Sequence, residues 1–178
     1  MVEALATTGR AGDLSRLEIE APPGREFTGW AGVGLRGIAV AFSLFHLYTA
    51  YAGTLQPLQQ RSVHLAFAMV LTLLLFPLSR HRTSQLWLGL DIALAACAIG
   101  GSAYLYAVTE EIPFRAGIVT GADILFGVMI TLLTLETTRR LVGPSLPIIA
   151  SIFLLYGMLG PYFPGLIAHR GYSFDRIV

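Results

Sequence analysis

Two carboxylates stand where a carboxylate is costly. Asp91 is the sole charge between residues 83 and 109, and Asp123 the sole charge between 116 and 135. On insertion scales a charge in hydrocarbon costs at least ~2.5 kcal/mol, so each needs a partner or water, and each is a candidate ion or proton site. Arg36, in the first apolar run, sits at the same expected depth as Asp91, which makes an Arg36–Asp91 ion pair possible. The pair reads either as a coupling-ion site or as a structural contact that fixes helix register. The structural reading leads, because no third carboxylate is expected at that depth. For Asp123, a proton relay through His46 and His64 is conceivable. The simpler expectation is that Asp123 bonds His46 or a neighbouring hydroxyl such as Thr120, with His64 at the membrane interface. His46 and His64 on adjacent runs also raise bis-histidine haem ligation, against which stand their different expected depths and the lack of a second pair. A third group is Glu136, Arg139 and Arg140, where adjacent basic residues interrupt two long apolar runs. Glu136 lies three and four residues before the arginines, so a helix puts acid and base on one face. Gly143 and Pro144 then stop that helix.

The elements that must hold these residues follow from composition. The chain has 178 residues, 54% of them hydrophobic and 13% charged, with a mean hydropathy of +0.66. A soluble domain carries roughly 25% charged residues. No Asp, Glu, Lys or Arg occurs over 37–60, 62–79 or 141–168, and such windows fit helices embedded in lipid. The expected fold is therefore all-α: a polytopic membrane helix bundle of about five transmembrane helices, over 31–52, 62–78, 86–108, 117–135 and 145–163. Trp30, Tyr48, Tyr51, Trp87, Tyr104, Tyr106 and Tyr162 fall near the span ends, as interfacial aromatics do. All basic residues are arginine. A cytoplasmic N-terminus puts Arg10, Arg16, Arg25, Arg80, Arg82, Arg139 and Arg140 inside, and Arg61, Arg115, Arg170 and Arg176 outside, which the positive-inside rule favours. Gly89, Ala93, Cys97 and Gly101 form a four-residue-spaced small stripe on the third span, and Gly117 and Gly121 repeat the theme on the fourth. Both predict close helix packing, with chance richness in Gly and Ala as the alternative.

Residues 1–30 read as a polar cytoplasmic tail broken at Pro22-Pro23-Gly24, without the apolar h-region of a cleavable signal peptide. Residues 165–178 read as amphipathic and basic, closing no recognisable element. The single Cys97 excludes an intrachain disulfide and a cysteine metal site. The net charge of +1 gives no sign of nucleic-acid binding. No P-loop, HExxH, nucleophile elbow or paired-cysteine motif occurs, and no nucleophile and base converge, so the expectation is a protein that is not an enzyme.

The segment LETTRRLVGPSLPIIASIFLLYGMLGPYFPGLIAHRGYS, residues 135–173, resembles the junction of fused TRAP transporter permeases of the type used with TAXI-class periplasmic binding proteins. LQPLQQRSVHLAFAMVLTLLLFP, residues 55–77, is similar to that family's second helix and the loop before it. The resemblance implies that 31–141 is the small, Q-like four-helix domain, and that 142–178 is a fifth helix and the start of the large M-like transport domain. It implies a permease of the bacterial inner membrane, a symporter taking up an organic solute, usually a carboxylate, from a periplasmic binding protein. The full transporter would be driven by Na+ or H+, with its ion site in the M-like domain and no cofactor expected on this chain. The expected partners are the M-like domain, fused or separate, the binding protein and the lipid bilayer. Arg36, His46, Asp91, Asp123, Glu136, Arg139 and Arg140 then become structural or interaction candidates in a scaffold. A free-standing bundle that anchors haem or binds a partner is the alternative.

Overall fold

The computed structural model of the chain describes residues 24–78, 85–115 and 117–177. The expected polar tail, with Arg10 and Arg16, and the loop carrying Arg80 and Arg82 lie outside the described residues, apart from 24–30. Five long helices follow in order: α1 (Gly29–Ala52), α2 (Pro57–Leu75), α3 (Gln85–Val108), α4 (Gly121–Val142) and α5 (Ser145–Leu159). A 3-10 turn, Ile112–Arg115, joins α3 to α4, and a four-residue helix α6 (Phe174–Ile177) closes the described chain. No strand occurs among the described residues. All five long segments, the last counted with its 3-10 extension to Tyr162, are long and apolar enough to cross a membrane. The protein is a multi-pass membrane helix bundle.

The boundaries differ from the apolar windows where local chemistry outweighs hydropathy. Helix α2 begins at Pro57 rather than at residue 62, since proline suits the first helical position and the Gln59–Arg61 turn still propagates. Helix α4 begins at Gly121 rather than at 117. Thr120 accepts from the Asp123 backbone N–H, and the Asp123 carboxylate accepts from the Thr120 backbone N–H, closing a reciprocal cap. Its far end runs on to Val142 because Glu136 bonds both Arg139 and Arg140 within the helix, and Gly143, at φ +96°, ends it.

Helices α2, α3 and α4 form the core. Met69, Val70 and Leu73 of α2 meet Ala95 and Ala98 of α3 and Leu133 of α4. Helix α1 rests on α2, reaching the core through Ile38. Helix α5 turns away at Gly143–Pro144 and packs on α4, leaving Ile148, Ile152 and Phe153 exposed. Trp30, Tyr48, Tyr51 and Tyr162 are also exposed, in keeping with aromatics at a membrane interface.

The small-residue stripe does not face inward as expected. A Cβ on Gly89 meets nothing, and Ala93 and Cys97 are exposed. The buried face of α3 is instead Asp91, Ala95, Ala98 and Ser102, with Gly101 beside it. Only Gly101 of the stripe is at a close approach, where a Cβ would stand 2.9 Å from Ile130 Cγ1 and from Met129 Cε. Gly117 and Gly121 face open space and do no packing work.

The segment from 165 onward does close an element. It folds back on α5 around His169: the ring Nε2–H donates to the Tyr156 carbonyl (3.1 Å), and Nδ1 accepts from the Gly171 backbone N–H (3.0 Å). Tyr156 donates its hydroxyl to the Ile167 carbonyl at 2.7 Å, and the Tyr172 backbone N–H bonds the Gly157 carbonyl at 2.9 Å. Gly160 is required there, because a Cβ would run into the His169 ring.

Candidate functional site

The strongest concentration of charge lies where α2 ends, α3 begins and α4 ends. Helix α2 has no glycine after it; Phe76 is extended and Pro77 follows. Its last carbonyls therefore need donors from elsewhere. The Phe76 backbone N–H returns to the Thr72 carbonyl at 2.9 Å. Arg140 Nη1, from the last turn of α4, donates to the carbonyls of Leu73 (3.2 Å) and Phe76 (2.9 Å). Arg25 takes the remaining two, its Nη1 reaching the Leu74 carbonyl at 3.3 Å and its backbone N–H the Leu75 carbonyl at 2.6 Å. Two guanidinium groups thus close the negative end of the α2 dipole.

Asp91 balances them. Its carboxylate is fully buried, and it accepts from Arg140 Nη1 at 2.7 Å and from Arg25 Nη2 at 2.9 Å. Arg140, with a side chain only 1% exposed, also donates through Nε to Glu136 at 2.7 Å. Glu136 in turn holds Arg139 by two 2.8 Å bonds. Three guanidinium groups share two carboxylates, and the α2 carbonyls offset the excess charge. Arg140 Nη2 is the one buried donor of the cluster without an acceptor among the described residues.

The expected Arg36–Asp91 pair is not formed. Helix α1 packs on α2, whereas Asp91 points into the α2–α3–α4 core, so equal depth does not bring the two together. Arg36 is exposed and has no ion-pair partner among the described residues. Asp91 shares Arg140 with a second carboxylate, Glu136, because α4 carries its charged turn to the same end of the bundle. Arg25 went unrecognised as a participant because it belongs to a polar stretch before the first span. The signal that points to it is the uncapped end of α2, which leaves carbonyls for an outside donor.

At the opposite end, Asp123 bonds Thr120, as one of the two alternatives held, but not His46. It accepts from the Tyr104 hydroxyl at 2.5 Å and from Arg115 at 3.2 Å, while the Thr120 hydroxyl donates to its second oxygen at 2.7 Å. Arg115 also pairs with Glu111, and that carboxylate, with Tyr104 and Asp123 adding to it, holds the guanidinium pKa above its ordinary value. Tyr104 stacks on Phe126, ring centroids 4.3 Å apart, which fixes its hydroxyl.

His46 and His64 do not differ in depth. His46 Nε2 and His64 Nδ1 are 3.0 Å apart, one ring donating and the other accepting, with Phe42 edge-on to both. Gln60 donates to the Thr49 hydroxyl at 3.0 Å one turn along, so this pair and the histidines form the polar seam between α1 and α2. The ring nitrogens stand closer than the roughly 4 Å that two metal bonds of ~2 Å would impose across an iron. No group of three or more metal-ligating side chains occurs among the described residues. No family model, no curated protein and no solved structure matches this chain.

Proposed function

We propose that this chain is the scaffold part of a TRAP-type secondary transporter in a bacterial inner membrane. In this reading it takes part in gradient-driven uptake of an organic solute by giving a moving transport domain a fixed partner, without binding that solute itself. The observation that carries the reading is the position of Arg140. It lies in the LETTRRLVGP segment on which the family resemblance rests, and it bonds α2 and α3 at once. A buried ion cluster of this kind suits a frame better than a passage: its charged groups engage one another and the α2 carbonyls, and Arg140 Nη2 is its one buried donor left unmet among the described residues. Past the cluster, α5 leaves the core with apolar side chains exposed, which suits further helices in the same membrane.

In a strain lacking this gene, sodium- or proton-driven uptake of a carboxylate should be lost and should return when the chain is supplied. Unchanged uptake across a panel of organic acids refutes the reading. A Soret band in the purified protein would instead favour the haem-anchoring bundle, and uptake by vesicles holding this chain alone would make it a transporter in its own right.

A further inference from the structure

Helix α1 is lightly held along its length. It packs on α2 and reaches the three-helix core through Ile38. An apolar cleft of about 240 Å³ stays open at that seam, lined by Ile38, Ala66, Phe67, Val70 and Ile99. The two ends of α1 are tied differently. Just before the helix, Arg25 bonds Asp91 and the carbonyls of Leu74 and Leu75, so that end is fixed to the ion cluster. Toward the other end, α1 is joined to α2 by the hydrogen bond between His46 Nε2 and His64 Nδ1, 3.0 Å long, and by the bond from Gln60 to Thr49 beside it. No other side-chain hydrogen bond links the two helices among the described residues.

The histidine bond depends on protonation. It needs one ring nitrogen that carries a proton and one that does not. A first added proton is accommodated, because an imidazolium still donates to a neutral ring. A second removes the acceptor and sets two cationic rings against each other across 3.0 Å. Nothing that faces the pair offsets this charge. The rings touch Phe42 and Phe45, with Phe67 stacked behind Phe42. Neither α1 nor α2 carries Asp or Glu; their charges are Arg36, far along α1, and Arg61, three residues before His64, which adds to the positive charge. On the helices that pack on α2 from its other sides, Asp91, Asp123 and Glu136 are each engaged by arginine. Past the end of α3, Glu111 pairs with Arg115 and Glu110 is exposed. His64 is itself exposed, so protons can reach the pair. We propose that His46 and His64 form an acid-opened latch. Neutral or singly protonated, the pair closes α1 on α2; doubly protonated, it parts them, and α1 swings outward about the end that Arg25 holds. The inference is independent of the proposed transport role.

The full chain, with Cys97 replaced by alanine, carries spin labels at Tyr51→Cys on α1 and Tyr106→Cys on α3, both exposed positions. Pulsed electron paramagnetic resonance in lipid nanodiscs reads the distance between them at about pH 8 and about pH 4.5, on either side of the histidine range. One short distance is expected at the higher pH, and a second, longer population at the lower. His46→Gln and His64→Gln, each made alone, leave room for only one charge and should both keep the short distance at either pH. Labels at Tyr106→Cys and Leu132→Cys, on α3 and α4, should not move. Far-UV circular dichroism checks the fold of each variant; should one glutamine variant fail it, the other and the unsubstituted pair decide. An unchanged distance in the chain that keeps both histidines overturns the inference. So does an acid shift of equal size in a folded glutamine variant, or a matching shift between α3 and α4, since acid would then act on another group or on the whole bundle.

Discussion

Asp91→Leu removes the buried carboxylate that, among the described residues, faces both Arg25 and Arg140. Arg25, with a side chain 21% exposed, can turn its head to water. Arg140 cannot, at 1% exposed, and is left with Glu136 and the carbonyls of Leu73 and Phe76. Breaking a buried ion pair on one side costs about 3–5 kcal/mol, a large share of the roughly 5–15 kcal/mol that holds a domain together. Arg140→Met should cost a similar amount, since it strands part of the Asp91 charge and frees two carbonyls at about 1–3 kcal/mol each. The double variant replaces ion by apolar side chains of like volume, which is often neutral, so only the freed carbonyls remain. The two substitutions should therefore be strongly sub-additive, with a coupling of about 2–3 kcal/mol, at the upper end for residues in contact. Thermal unfolding in detergent, followed by circular dichroism, reads this directly. At about 2–4 °C per kcal/mol for a chain of this size, each single variant should melt roughly 6–20 °C below the wild type. Additivity within ~0.5 kcal/mol, or Asp91→Leu melting with the wild type, would falsify the claim that the cluster holds the core helices together.

Three further outcomes follow from particular contacts. Gly101→Leu should destabilise the bundle by about 1–3 kcal/mol through overpacking against Met129 and Ile130, while Gly89→Leu, facing open space, should leave the melting temperature unchanged; the reverse order would restore the small-residue stripe as the packing face. Thr120→Ala should cost about 1 kcal/mol by removing the α4 cap, and amide exchange should quicken in the first turn of α4 before it does elsewhere. With Cys97 replaced by alanine, Thr138→Cys should react with an impermeant maleimide in inverted vesicles and not in intact cells, as a cytoplasmic N-terminus requires; the opposite pattern inverts the topology.

The five helices were legible because lipid tolerates so few charges: windows with no Asp, Glu, Lys or Arg, or with a single one, mark spans with little help from periodicity. Local pairs were legible for the same reason that helices have fixed geometry. Glu136 meets Arg139 and Arg140 at three and four residues, and Asp123 meets Thr120 at three. The partner of Asp91 was not legible, because position along a span gives depth alone and says nothing of which helix stands next to which. Arg36 has the right depth on a helix that lies against α2, whereas Arg140 and Arg25 reach Asp91 from elements whose ends meet there.

The face of α3 was misread for a related reason. In water, the apolar side of a helix marks what is buried, but in lipid both sides are apolar and that contrast vanishes. Small residues then carry little information about direction: Gly89, Ala93 and Cys97 are as acceptable to lipid as to a neighbouring helix. Polar residues do carry it, since lipid rejects them. Starting from Asp91 and stepping four, seven and eleven residues along α3 reaches Ala95, Ala98 and Ser102, and all four are buried. The same reasoning orients α4, where Thr137 and Arg140, three apart, are both buried and Leu133 lies one turn before them. In a chain this apolar, the inward face of a helix is read from its scarce polar side chains, and the packing of the small ones follows from it.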